Sequence, residues 1–428
     1  MSTANLTFAQ NHYAMLELSQ PNTSISNLSN LLYIENTYSY DAINNALNKL
    51  VENFDAYRIH IINESGELKQ SLQPFNFQYF PLVEFTDEAQ YNAWIDQQKN
   101  KCLFELNSDL YDFTIVKNPD GKHSVFFTHH HAITDAWSIT HSVNYVAKIL
   151  IGHDVEPNTY SYLDIANDDQ KYLDSRRFEI DKNYWFNTIS NYEMTDFLTK
   201  LQNIDYKSLR ETYSLNEYEF KLIHKMCSDY SISISTLFMS LMHLYISKLS
   251  NKNQNSIGLM VHNRSSNIEK ETCGLFTKAL PLIVELNPEQ SVENFINLVK
   301  KENFKLLKHR KLPTTVLIEQ NKEKDVPSLA DFAISYHNMQ YDNEITKEGF
   351  KEEWLLNEAN LYNKLNMNIS NRNNDNTLHI DYDFSTCYLT EKDIEQIHYS
   401  LVDILVQFYN NPHARLNDIE VVTFKSGR

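Results

Sequence analysis

The chain has 428 residues, 42% of them hydrophobic, with 38 Lys and Arg against 56 Asp and Glu and a formal net charge of −18. That length buries a large core and suggests two or three domains, and the acidic balance argues against nucleic acid or an anionic membrane as partner. Cys102, Cys227, Cys273 and Cys387 form no CxxC pair, the first twenty residues have no signal-peptide pattern, and no run approaches the roughly 18 apolar residues of a spanning helix, so a reduced, cytoplasmic protein with no metal is expected.

In chain order, residues 8–16 predict a short helix and 31–34 a strand. Residues 39–54 predict an amphipathic helix, with Ala42, Ile43, Ala46, Leu47, Leu50 and Val51 on one stripe and Ser39 or Asp41 as its cap. Arg58 follows. Residues 87–104 predict a helix, and 111–116 a strand that pairs with the next. That next strand opens after the turn residues Pro119-Asp120-Gly121, where His123, Val125 and Phe127 alternate with Ser124 and Phe126. It passes into a helix in which Ile139, Val143, Val146, Ala147, Ile149 and Leu150 recur at helical spacing up to Gly152.

Between strand and helix lie His129, His130, His131 and Asp135. A loop at the end of a core strand is where a rigid scaffold displays reactive side chains. A metal site wants converging ligands, whereas adjacent residues of an extended segment point to opposite faces. A second reading has the imidazoles hydrogen-bonded in the core. A third makes His131 a general base, since an imidazole with a pKa of about 6.5 suits proton transfer at cellular pH, with Asp135 holding the loop in shape.

Beyond a charged and polar stretch at about 164–181 that reads as a crossover between lobes, residues 216–229 and 235–249 predict helices. The second is apolar for most of its length and belongs in the core. A strand at 257–261 leads to His262-Asn263-Arg264, a polar loop to Cys273-Gly274-Leu275-Phe276-Thr277, and a strand at 279–286. A helix at 292–309, a strand at 331–338 ending in Asn338, a strand at 378–382 and a helix at 390–410 complete the pattern.

The run from His130 to Ser138, His-His-Ala-Ile-Thr-Asp-Ala-Trp-Ser, resembles the HHxxxDG(W)S signature of condensation domains of nonribosomal peptide synthetases, members of the chloramphenicol-acetyltransferase-like superfamily. The signature's Gly is Ala136 here, which puts a methyl where backbone or ligand approaches closely. Other stretches are similar to the family's motifs: Ala9-Gln10 to its opening helix, Arg58 to the Arg of RHExLRTxF, Tyr162-Leu163-Asp164-Ile165-Ala166 to YxDFAxWQ, Tyr184-Trp185 to a following helix, and Gly274-Leu275-Phe276 to GxFxNT. The Asn of that last motif is not kept, Thr277-Lys278 standing in its place. The resemblance runs from Phe8 to Val422.

It implies an α/β fold of two acetyltransferase-like lobes in a V-shaped pseudodimer, residues 1–170 and 171–428, with mixed, mostly antiparallel sheets. It implies amide-bond formation between a donor acyl or peptidyl thioester and an acceptor aminoacyl thioester. Both are carried on phosphopantetheine arms of upstream and downstream peptidyl carrier proteins, with adenylation domains adjacent in a larger synthetase. No cofactor of its own is implied, and a monomer is expected. His131 would orient or deprotonate the amine, or help the tetrahedral intermediate collapse, with His130 and Asp135 beside it. Asp135 would pair with Arg264, or with Arg58 as a buried cation near the loop. Ala136, Trp137, Ser138, Gly274 and Asn338 are candidates to line the channel. An epimerization domain, for which Glu271 is the nearest carboxylate, a free-standing acyltransferase and a non-catalytic carrier-recruiting domain are the alternatives.

Overall fold

The computed structural model describes residues 2–158, 160–192, 197–201, 206–322, 330–359, 363–372 and 377–424. Its organising strand is His123–His130, buried along nearly its whole length on both faces. It pairs antiparallel with Asn27–Ile34, setting His130 opposite Asn27 and Val125 opposite Leu32, and antiparallel with Tyr111–Lys117. Leu82–Glu84 adds a parallel edge. One face of this sheet, through Leu32, Val125 and Phe127, shares a core with Ile43, Leu47 and Val51 of the helix Tyr40–Asn53 and with Val143 and Val146 of Ala136–Leu150. The other face, through Leu31, Val116 and Phe126, packs on Tyr91 and Ile95 of the helix Glu88–Lys99. Burial on both faces is why apolar residues stand on both, Val125 and Phe127 toward one core and Phe126 toward the other.

A second sheet has six strands, in the order Lys278–Glu285, Gln254–Val261, Phe332–His337, Leu365–Ser370, His379–Ser385 and Ser208–Ser214. The helix Ile234–Ser250 is apolar around its circumference and sits in the core of this half with the inner faces of Val292–Lys308 and Glu391–Asn410. A small third sheet joins Ser2–Asn5 to the hairpin Ile59–Glu64 and Glu67–Leu72. Its two turn residues, Ser65 and Gly66, have φ of 57° and 93°, the conformation a two-residue hairpin requires. Eight of the eleven described strand pairings are antiparallel, so the fold is α/β with mixed sheets flanked by helices.

The fifth strand of the first sheet comes from far along the chain. Phe350–Leu355 pairs antiparallel with Asn27–Ile34, and Arg210 of the second sheet donates to its Trp354 carbonyl at 2.9 Å. Sequence patterning misses this strand, because Lys351-Glu352-Glu353 looks solvated. Glu352 is nevertheless 8% exposed, accepting from Asn30 Nδ2 and Trp354 Nε1, both at 2.6 Å. The predicted helix at 87–104 ends at Lys99. Asp164 lies exposed in the first turn of Leu163–Leu173, a helix whose start has no side-chain cap.

Candidate active site

The three histidines have separate environments. His129 points into the first core, and burial pulls its pKa down to about 3. His130 is wholly buried and accepts from the Ala132 N–H through Nδ1 at 3.1 Å. Its proton is therefore on Nε2, which donates to Glu17 Oε1 at 3.2 Å. His131 is half-buried, and its Nδ1–H donates to the Thr134 carbonyl at 2.8 Å. That bond fixes the tautomer and leaves the Nε2 lone pair free to accept. Burial pushes the His131 pKa down, and although the Asp135 carboxylate and the Thr134 carbonyl oppose it, the value falls to about 4. At neutral pH the ring is uncharged. Among the described residues no three His, Cys, Asp or Glu side chains converge as metal ligands.

Asp135 is the node of the site. It caps the helix Ala136–Leu150, taking the Ser138 N–H on Oδ1 at 2.9 Å. The Arg264 guanidinium clamps both oxygens, Nη1 to Oδ2 at 2.6 Å and Nη2 to Oδ1 at 3.0 Å. Oδ2 also takes the Phe276 N–H at 3.0 Å and the Thr277 N–H and Oγ1–H at 3.1 Å each. Burial alone would raise this carboxyl's pKa, but the Arg264 charge and the donated hydrogen bonds outweigh it and hold the value at about 2. Arg264 is itself buried. Its remaining hydrogens go to Ser138 Oγ at 2.7 Å, Gly274 O at 3.1 Å and Glu269 O at 3.0 Å, and its plane lies 4.1 Å from the centre of the Phe276 ring. A desolvated ion pair is worth having only when every lone pair and proton is satisfied, and this one joins residues 129 positions apart.

Arg58 does not share this role. Its Nε donates to Val51 O at 3.2 Å and its Nη1 to Gln73 O at 3.0 Å, so it closes the C-terminal end of the helix Tyr40–Asn53, where a cation is favoured. Of the channel candidates, Ser138 and Gly274 belong to the clamp. Ser138 Oγ accepts the Gly274 N–H at 3.0 Å. A Cβ on Gly274 would stand 2.2 Å from the Tyr162 ring, so Gly is there to let that ring in. Trp137 is half-buried, donates to Lys270 O at 3.0 Å and lies against His262, which ties it to the second half of the chain. Asn338 is exposed just beyond Phe332–His337, and Glu271 is exposed at the end of Asn267–Glu271. Ala136 is the half-buried first residue of its helix and is not among the positive-φ residues, so its methyl carries no backbone strain.

The condensation-domain family matches residues 1–426. The chain belongs to that family. Condensation domains are the amide-bond-forming units of nonribosomal peptide synthetases. The chain is 26% identical to a plipastatin synthase subunit of Bacillus subtilis (strain 168) and 23% identical to surfactin synthase subunit 1 of the same organism, each over 98% of its own length. It spans only 17% and 12% of those proteins. Among solved structures it is similar to the condensation domain of the monacolin K polyketide synthase, with a TM-score of 0.86 at 15% identity, covering 97% of this chain and 99% of that one. The first condensation domain of the calcium-dependent antibiotic synthetase, in complex with a substrate analogue, has a TM-score of 0.83 at 14% identity over 99% of each chain.

Sequence reasoning passed over four residues of this condensation domain's site. Tyr13 stacks on His131 and Glu17 binds His130, yet both read as ordinary positions of a short helix. Thr277, directly after Phe276 of the GxFxNT motif, was given no role and supplies two of the bonds to Asp135. Asp55 takes the Tyr162 N–H and the Ser161 hydroxyl, fixing the ring that Gly274 admits.

Proposed function

We propose that this domain transfers a donor acyl or peptidyl group from a thioester to the amine of an acceptor aminoacyl thioester. Both are held on phosphopantetheine arms of carrier proteins, and the halves at 1–170 and 171–428 act as two lobes sharing the site. The observation that carries the reading is His131: uncharged, proton fixed on Nδ1, Nε2 open, on a loop locked by Asp135 and Arg264. A thioester is already activated, so the reaction's main need is proximity, worth roughly 7–11 kcal/mol at best. The amine nitrogen attacks the thioester carbonyl, the C–N bond forms, and the C–S bond then breaks. One proton leaves the nitrogen and ends on the departing thiolate, giving amide and thiol.

The pKa decides which part His131 takes. An α-ammonium has a pKa of about 8, some four units above that of His131, so removing its proton in the ground state would be uphill by about 5 kcal/mol. His131 is suited instead to accept a hydrogen bond from an already neutral amine, aim its lone pair at the carbonyl, and relay the proton once the new bond has acidified it. The test is mass spectrometry of a donor-loaded carrier mixed with an acceptor-loaded carrier. The amide on the acceptor arm is the expected product. Run in D2O, a donor that gains one α-deuterium with no transfer would point to epimerization, and neither change would point to a recruiting platform.

A further inference from the structure

The helix Phe8–Ser19 reaches both motif histidines with side chains one turn apart. Tyr13 is 9% exposed, and its ring stacks on that of His131 with centroids 4.2 Å apart and planes at 24°. Glu17, on the same helix face, is 3% exposed and takes the His130 Nε2 hydrogen. The helix is anchored at its start. Thr7 caps it by accepting from Gln10 N at 3.1 Å, the Phe8 N–H donates to Asp169 Oδ2 at 2.8 Å, and Gln10 Nε2 donates to Gln70 Oε1 at 3.1 Å. A buried carboxyl is costly where an aliphatic side chain would fill the space, so the Glu17 contact with His130 calls for a reason beyond packing.

We propose that Tyr13 and Glu17 are positioning residues of the transfer reaction, Tyr13 setting the plane of the His131 ring and Glu17 anchoring the His130 ring behind it through its Nε2–H. The inference rests on the reading of His131 given above. The Thr134 carbonyl holds one ring atom of His131, and the loop is held through the His131 N–H to Ser26 O at 2.8 Å. Neither contact fixes the tilt of the ring, which the Tyr13 face does. Tyr13 also keeps water off that side of the imidazole. The titratable and charged groups around His131 are Asp135 and Arg264 on the clamp side, and His130, Glu17, His12 and Tyr13 itself on the helix side. With Tyr13 removed, desolvation falls and the His131 midpoint moves up toward its ordinary value of about 6.5.

The first arm of the test needs no substrate. Protein labelled with 15N-histidine is titrated by NMR, the His131 signals being identified by their loss in His131→Gln. The Nδ1–H tautomer is expected in wild type and in Tyr13→Phe, with no titration above about pH 5. In Tyr13→Ala a midpoint at least about one unit higher and a mixed tautomer are expected. The Ala132 N–H keeps the His130 tautomer in every variant, whereas Glu17→Ala should shift and broaden the His130 Nε2 signal that Glu17→Gln leaves near wild type. Tyr13→Leu replaces Tyr13→Ala if the latter does not fold.

The second arm is single turnover with an acyl-loaded carrier and a panel of aminoacyl N-acetylcysteamine thioesters. Tyr13→Ala should be slower by about tenfold or more and Tyr13→Phe close to wild type. Unchanged titration and tautomer in Tyr13→Ala would overturn the inference, even in an active domain. A panel that no protein turns over would count against the proposed function, and the titration would still judge the positioning.

Discussion

His131 and Asp135 belong to one motif and are both pulled to the acid side of their ordinary values, to about 4 and about 2, by different causes. Burial depresses the imidazole, and a cation with a ring of donors depresses the carboxyl. Asp135 carries the clearer stability consequence. Its folded pKa lies below its ordinary 3.8, so the clamp contributes stability fully above about pH 4 and loses it as pH falls toward about pH 2, a difference of roughly 2 kcal/mol. Asp135→Ala should cost more, about 3–5 kcal/mol at neutral pH, because Arg264 is left buried without its partner. Urea denaturation of wild type and variant across that acid range checks both statements, and an unshifted midpoint would mean the pair is not desolvated. Ala136 gives the opposite expectation. With no positive φ to relieve, Ala136→Gly should lower the melting temperature slightly, and should speed turnover only for bulky acceptors in a size series.

At the scale of elements, the strand-to-helix loop is held by a strand-to-strand loop from the other half of the chain. Gly274 is where they meet, because Tyr162 occupies the space of its missing side chain and donates to Leu275 O at 2.6 Å. Gly274→Ala should force that fully buried ring aside and drag the Phe276 and Thr277 N–H groups off Asp135. A stability loss of roughly 1–3 kcal/mol is expected together with slower turnover, and pairing it with Tyr162→Leu should recover part of both. Denaturation and single-turnover rates on the two proteins decide it. The elements themselves were largely legible. The stripe at Ala42–Val51 and the alternation at 123–127 are periodicities, the helix at 235–249 is a long apolar run, and both kinds of pattern survive in sequence. The histidine loop was legible because its residue types are rare in that order. What could not be read were contacts made across the fold. Nothing local distinguishes Tyr13, Glu17 or Asp55 from packing residues, and the strand Phe350–Leu355 hides its pairing behind charges buried only by its neighbours.

That strand matters to the molecule as a whole, because it carries a segment of the second half into the first sheet. Its Glu352 is buried among Asn30, Trp354 and, 3.7 Å away, Arg372. Burial raises its pKa to about 7, against the pull of Arg372 and the two donors. The native state therefore holds a proton that the unfolded chain releases above its ordinary 4.5. Stability from this group is full below about pH 4.5 and declines by up to about 3 kcal/mol as pH rises to about 7. Glu352→Gln should flatten that slope between about pH 5 and pH 7, while leaving the acid transition of Asp135 in place. Thermal unfolding measured through this window reports it, and an equal slope in both proteins would show that Glu352 is charged throughout. The link and the clamp each join distant parts of the chain.

In the proposed reaction an uncharged His131 positions the amine and is not a base titrating near neutrality. The pH dependence of single-turnover transfer, in wild type and in His131→Ala, tests it most directly. The wild-type rate should rise with pH along the ionisation of the acceptor amine, near about pH 8, with no separate limb near about pH 6.5. His131→Ala should keep that shape at a rate lower by about 10²-fold. A limb near about pH 6.5 present in wild type and absent in the variant, or a variant as fast as wild type, would overturn that role for His131.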